Sequence, residues 1–203
     1  MKGPNISSLP DFDPLPESLE IPVALVVGDD VSTDEILPAG ARVLPYRSNI
    51  PKLAEFTFHQ IDEEYAARAR ASRDDGGHAL VAGSNYGQGS SREHAAIAPR
   101  YLGLRLVLAD SFARIHWQNL ANFGVLALEF ADAGDHDCVQ QGDILVVEGI
   151  RRALADGTQI SVHNQTQDEE YAATNRLSKR QVEMLLAGGL IPRLHEAASS
   201  PAS

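Results

Sequence analysis

Twelve residues constrain this chain more than any others: Gly83-Ser84-Asn85-Tyr86-Gly87-Gln88-Gly89-Ser90-Ser91-Arg92-Glu93-His94. The apolar run Ala79–Ala82 before them reads as a strand. Ser90-Ser91-Arg92-Glu93 fits a capping box and predicts a helix over Ser90–Ala98. A glycine-rich link from strand to helix lets backbone approach a ligand closely. Unpaired N–H groups and the positive end of the helix dipole then favour an anion. Arg92 adds a planar fork suited to a carboxylate or phosphate. In a first helical turn that cation opposes the dipole, a local misfit that hints at function.

Several familiar loops are excluded. No lysine stands where a Walker A loop needs one, Arg92 occupies the third glycine position of a dinucleotide fingerprint, and G-x-S-x-G is absent. Two roles stay open for Ser90: a simple N-cap, or an activated hydroxyl whose alkoxide is stabilised by surrounding N–H groups. His94 is either a packing histidine or a catalytic one.

Around this loop the pattern is strand, helix, strand. Ile21–Val27, Leu104–Ala109 and Val125–Phe130 read as strands, and Ser111–Phe123 as a helix ended by Gly124. That order predicts right-handed parallel crossovers within one α/β domain with a mixed sheet. Further strands are expected at Ile144–Glu148 and Gln159–Val162, and a capped helix from Ser178 to the Gly188-Gly189 stop. Lys52–Ala71 carries an approximate helical stripe of Phe56, Ile61, Tyr65 and Ala69. Residues 1–20, with four prolines, read as an extended arm or a linker, 21–193 as the domain, and 194–203 as a flexible tail.

The long loop from Gly28 to Ile50 holds Asp29, Asp30, Asp34 and Glu35, but fails the EF-hand spacing. Phe112, Ile115 and Leu120 look like the core face of a packing helix, with Arg114 and His116 turned elsewhere. Charge excludes other classes. With 28 acids against 17 bases, a net charge of -11 opposes nucleic acid and anionic membranes. No apolar run is long enough to span a bilayer, and the first residues lack a signal-peptide core, so a soluble, cytoplasmic chain is expected. The lone Cys138 excludes a disulfide framework and any multi-cysteine cluster site within the chain.

Three blocks, taken together, resemble a known family. Asp30-Val31-Ser32-Thr33-Asp34-Glu35-Ile36-Leu37-Pro38-Ala39-Gly40, then Tyr86–Ala96 with its G-x-G-S-S-R-E-H-A core, then Ser111-Phe112-Ala113-Arg114-Ile115-His116 occur in the order found in the aconitase superfamily. The resemblance runs from about Ile21 to Ile191 and is to the C-terminal swivel domain, which also occurs as a separate small subunit. The Leu177–Gly189 ending is similar to shorter bacterial aconitases.

The resemblance implies a three-layer β/β/α domain closing over a [4Fe–4S] cluster on a large subunit or domain, with no cofactor held by this chain. It implies a hydro-lyase that isomerises a hydroxy-polycarboxylate. Ser90 would be the general base, Ser91 and Arg92 would bind substrate carboxylates, and Asp34 would line the site. Arg47 matches a carboxylate-gripping arginine if one inserted residue is allowed. Citrate and isocitrate are the expected substrates, because an arginine at that place leaves its charge unpaired against an isopropyl group. The alternatives are small subunits of 3-isopropylmalate dehydratase or homoaconitase, an RNA-binding module, or an inactive scaffold.

Overall fold

Residues 7–132, 134–157 and 159–199 are described by the computed structural model. Seven strands among them are β1 (Leu19–Val27), β2 (His78–Ala82), β3 (Leu104–Ala109), β4 (Leu126–Phe130), β5 (Ile144–Val147), β6 (Ile160–Asn164) and β7 (Glu169–Thr174). They close in the order β1-β2-β3-β4-β7-β6-β5. β1 to β4 run parallel, while β5, β6 and β7 pair antiparallel and return the sheet to both edges of that block.

The burial pattern explains the layers. β2 and β4 are buried at every position, as expected for strands covered on both faces. β6 and β7 alternate over much of their length, so their outer face meets solvent. Inward residues such as Val81, Leu106, Leu128, Leu145 and Val162 form one core between the two halves of the closed sheet. Leu80, Ala82, Val107 and Ala127 point the other way and pack against helices. Antiparallel strands, parallel strands and helices therefore form three layers.

The helices are α1 (Thr33–Ile36), α2 (Ile50–Leu53), α3 (Tyr65–Ser72), α4 (His94–Tyr101), α5 (Arg114–Asn122), α6 (Ile150–Asp156), α7 (Lys179–Leu186) and α8 (Leu190–Ser199). α4 and α5 are the crossovers between β2, β3 and β4. Leu15, Ile150, Leu154 and Leu185 join the inner core. No helix among the described residues is long and apolar enough to cross a membrane.

Several expectations need correction. The helix over Lys52–Ala71 is broken into α2, a short 3₁₀ turn and α3. Phe58 takes a positive φ of 56°, donates its N–H to the Ile36 carbonyl at 2.8 Å, and sits edge-on to Tyr65. Docking onto the first loop thus overrides the helical stripe, and Ile61 is left 40% exposed. The helix expected from Ser90 starts at His94 instead, so Ser90 does not cap it; Glu93 stands at the N-cap without a side-chain bond. Residues 7–18 carry no helix or strand, and they pack onto the domain: β1 starts at Leu19, and Leu15 is fully buried with its carbonyl accepting from the Arg151 guanidinium. Helix α8 continues through residues 194–199 of the expected tail; the remaining tail residues, 200–203, lie outside the described residues.

Candidate active site

Three loops leave the C-terminal ends of β1, β2 and β3, the edge where parallel sheets place ligands. They carry the three sequence blocks, and backbone bonds stitch them together. Asp30 donates its N–H to the Ser84 carbonyl, Thr33 to Gln88, Gly87 to Val31 and Tyr86 to Ser111, all within 3.0 Å. Side chains add to this: Asn85 Nδ2 reaches Asp30 Oδ1 at 2.7 Å, and the Ser84 N–H reaches Asp29 Oδ1 at 2.7 Å.

The first loop is shaped by a capping box. Ser32 caps α1, and Glu35 reaches back to the Ser32 N–H at 2.8 Å. This box is legible in the S-T-D-E string at 32–35, whereas the same S-x-x-E pattern at 90–93 forms no box on α4. It holds Thr33 and Asp34 in the first turn. Thr33 is buried, and its Oγ1 lies 3.2 Å from the Ser90 carbonyl oxygen and 3.4 Å from Ser90 Oγ. Thr33 is the site residue missed from sequence.

Arg92 lies before α4, so the supposed clash with the helix dipole does not arise. Its Nη1 donates to Asp34 Oδ1 at 2.7 Å, to the Leu37 carbonyl at 2.8 Å and to the Thr33 carbonyl at 3.4 Å. Asp34 itself is 63% exposed while the Arg92 side chain is 18% exposed, so the carboxylate orients the guanidinium from the solvent side. Ser90 and Ser91 are exposed at the mouth of the loop. Arg47 is exposed too, and its carbonyl oxygen lies 3.0 Å from His94 Nε2. Arg47, Arg92 and His94 line one small cavity of about 40 Å³. Ser90, Ser91, Arg92, Asp34 and Arg47 therefore gather at one edge of the sheet. His94 bridges two of the loops through the Arg47 backbone.

The floor beneath the loop is apolar and tight. His116, not Ile115, faces the core: His116 is 1% exposed and Ile115 44% exposed. α5 starts at Arg114 rather than Ser111, which places His116, Asn119 and Leu120 on the buried face. Neither ring nitrogen of His116 finds a partner, and burial lowers its pKa to about 4, so the ring is neutral. A Cβ at Gly87, whose φ is +80°, would stand 2.2 Å from that ring. Glycine at 87 is thus required by the ring below it as well as by its backbone angle.

Comparison with known proteins places these loops in context. Residues 50–133 match the aconitase C-terminal domain family. A 3-isopropylmalate dehydratase small subunit of Aquifex aeolicus is 37% identical over 85% of this chain and 92% of its own length. A putative mitochondrial aconitate hydratase of Aspergillus fumigatus is 32% identical over 95% of this chain, but over 27% of its own length. The matches to three such aconitate hydratases span about a quarter of those proteins' own length. The crystal structure of 3-isopropylmalate dehydratase from Methanocaldococcus jannaschii superposes with a TM-score of 0.71 at 28% identity, covering 89% of this chain and 95% of that one.

Proposed function

The chain belongs to the aconitase superfamily, among its C-terminal domains and small subunits, and from that premise we propose that it supplies half of a hydro-lyase active site. The complete enzyme would move a hydroxyl between adjacent carbons of a hydroxy-polycarboxylate by dehydration and rehydration. The observation that carries this reading is the convergence of three loops, which sets Ser90 against Thr33 and Arg92 against Asp34 at one sheet edge.

In this reading Ser90 Oγ takes the proton from the carbon beside a substrate carboxylate. Negative charge spreads into that carboxylate, where Ser91 and Arg92 hold it. Asp34 fixes the Arg92 fork, and Arg47 grips a further carboxylate. Arg92, two residues from Ser90 in the same loop, lowers the cost of the serine alkoxide. The hydroxyl on the neighbouring carbon needs a Lewis acid, which the family resemblance assigns to a [4Fe–4S] cluster. The residues of this chain do not fit such a cluster. It needs several thiolates, and the single cysteine, Cys138, is exposed. Among the described residues no three His, Cys, Asp or Glu side chains are grouped to hold a metal. We place the cluster on a large partner subunit or domain.

Citrate and isocitrate, through cis-aconitate, are the substrates we assign. Arg47 shares its cavity with Arg92, and a second guanidinium there suits a third carboxylate. A second reading, 3-isopropylmalate, is favoured by the near-complete coverage of a separate small subunit of that dehydratase. The test is turnover of isocitrate and of 3-isopropylmalate by this chain assembled with its large partner. Preference for isocitrate supports the assignment. Preference for 3-isopropylmalate selects the second reading, and turnover of neither these two nor homocitrate removes the hydro-lyase reading.

A further inference from the structure

The opposite edge of the parallel strands carries a second polar cavity, of about 410 Å³, with Arg73, Arg100 and Arg105 in its wall. Arg73 follows α3, Arg100 stands in the last turn of α4, and Arg105 is the second residue of β3. Arg100 is only 5% exposed, and the Arg105 side chain is 15% exposed. Arg100 Nη2 and Arg105 Nη1 both point at one oxygen, the Asp13 carbonyl, at 3.4 Å each. Arg100 Nε takes the Phe123 carbonyl at 3.2 Å. The flat faces of Arg73 and Arg100 lie over Tyr101 and Phe12, 4.5 and 4.6 Å from the ring centroids.

The carboxylates around this cluster are exposed and make no close ion pair with it. Among the described residues, the one carboxylate within 4.0 Å of any of the three is that of Asp13, 3.9 Å from Arg105 and 91% exposed. Asp11 and Asp74 also line the cavity but are exposed to water. Burial, then the charges of Arg105 and Arg73, lower the Arg100 pKa to about 9, only partly offset by Asp13. A desolvated guanidinium whose partners are carbonyl oxygens and ring faces has capacity left for an anion. Approach from three elements suits a tetrahedral oxyanion better than a planar carboxylate, which one arginine can satisfy bidentately.

We propose that Arg73, Arg100 and Arg105 form a binding site for a phosphate dianion, free or as a small monoester, remote from Ser90. The site is independent of the hydro-lyase reading.

The experiment is titration of the full chain with inorganic phosphate and with glycerol phosphate, at constant ionic strength, by calorimetry and thermal melting, with acetate as control. Saturable binding and a rise in Tm beyond acetate are expected. The monoester binding more tightly would identify that source; equal affinity would identify free phosphate. Arg105→Gln and Arg73→Gln should each weaken binding by at least about tenfold, the lower end of the range for one charged hydrogen bond. Arg100 also ties two carbonyl groups, so these two variants carry the test. Asp13→Asn should tighten binding by removing the competing carboxylate, and Arg92→Gln should leave it unchanged. The proposal fails if phosphate does no more than acetate, if Arg105→Gln and Arg73→Gln bind like the parent, or if Arg92→Gln alone abolishes binding.

Discussion

Thr33 Oγ1 stands 3.4 Å from Ser90 Oγ, across 57 residues of sequence, and Thr33 is 1% exposed. A buried hydroxyl in this position sets where the exposed Ser90 can point. Thr33→Val keeps the shape and removes the hydroxyl. It should cost about 1 kcal/mol, the net worth of one hydrogen bond, which is about 2–4 °C in Tm for a chain of this size. In the assembled enzyme kcat should fall by about tenfold, and Thr33→Ser should restore most of it. Parent-like turnover by Thr33→Val would detach Thr33 from the site.

The contact of Gly87 with His116 makes a second prediction. Gly87→Ala forces a Cβ to within 2.2 Å of the ring at a φ of +80°. Overpacking and backbone strain together should cost about 2 kcal/mol or more in urea unfolding. In a His116→Gly background, where the ring and the Cβ that would stand 2.5 Å away are both gone, the same change should cost only the strain, about 1 kcal/mol. Equal penalties in both backgrounds would show that the ring does not limit the loop.

The two buried histidines predict a pH dependence. Burial, aided by the positive charges of Arg100 and Arg68, lowers the His78 pKa to about 3, and burial lowers that of His116 to about 4. Unfolding returns both to about 6.5, so the unfolded chain binds more protons between those values. Their contribution is fully present above pH ~6.5 and falls as the pH drops toward the folded values, by up to about 1.4 kcal/mol per pH unit for each histidine. Urea unfolding from pH 7 to pH 4.5 measures the slope. His116→Gln should flatten it by about one proton; an unchanged slope would mean that His116 is not held neutral.

Much of this architecture is legible locally. The apolar runs before Gly83 and around Val107 and Leu128 mark central strands because both their faces are covered. β7 is not legible, because Glu169-Glu170-Tyr171-Ala172-Ala173-Thr174 has one open face and no large aliphatic side chain. The S-x-x-E pattern occurs at both Ser32 and Ser90, and local sequence cannot distinguish them. The tertiary contact with Thr33 does, by engaging Ser90 outside α4. Asp34, Ser90 and Arg92 were identified as candidates, but their mutual placement depends on three loops crossing one edge, which no single segment encodes.

Arg47 separates the substrates. Arg47→Ala should lower kcat/KM for isocitrate by about 10- to 150-fold, the range for a charged hydrogen bond, and change 3-isopropylmalate turnover little. A loss confined to 3-isopropylmalate, or no loss at all, would show that Arg47 does not bind a third carboxylate.

The most direct test of the whole account is Ser90→Ala, measured as kcat with isocitrate after assembly with the cluster-bearing partner. Ser90 does not cap α4, and Thr33 Oγ1 keeps the backbone carbonyl of residue 90 as its acceptor at 3.2 Å, so the melting temperature should stay within about a degree of the parent. Loss of the base should lower kcat by at least about 10²-fold while KM changes much less. A variant that turns over like the parent would contradict the account, because the hydroxyl on which the three loops converge would then play no part in the chemistry.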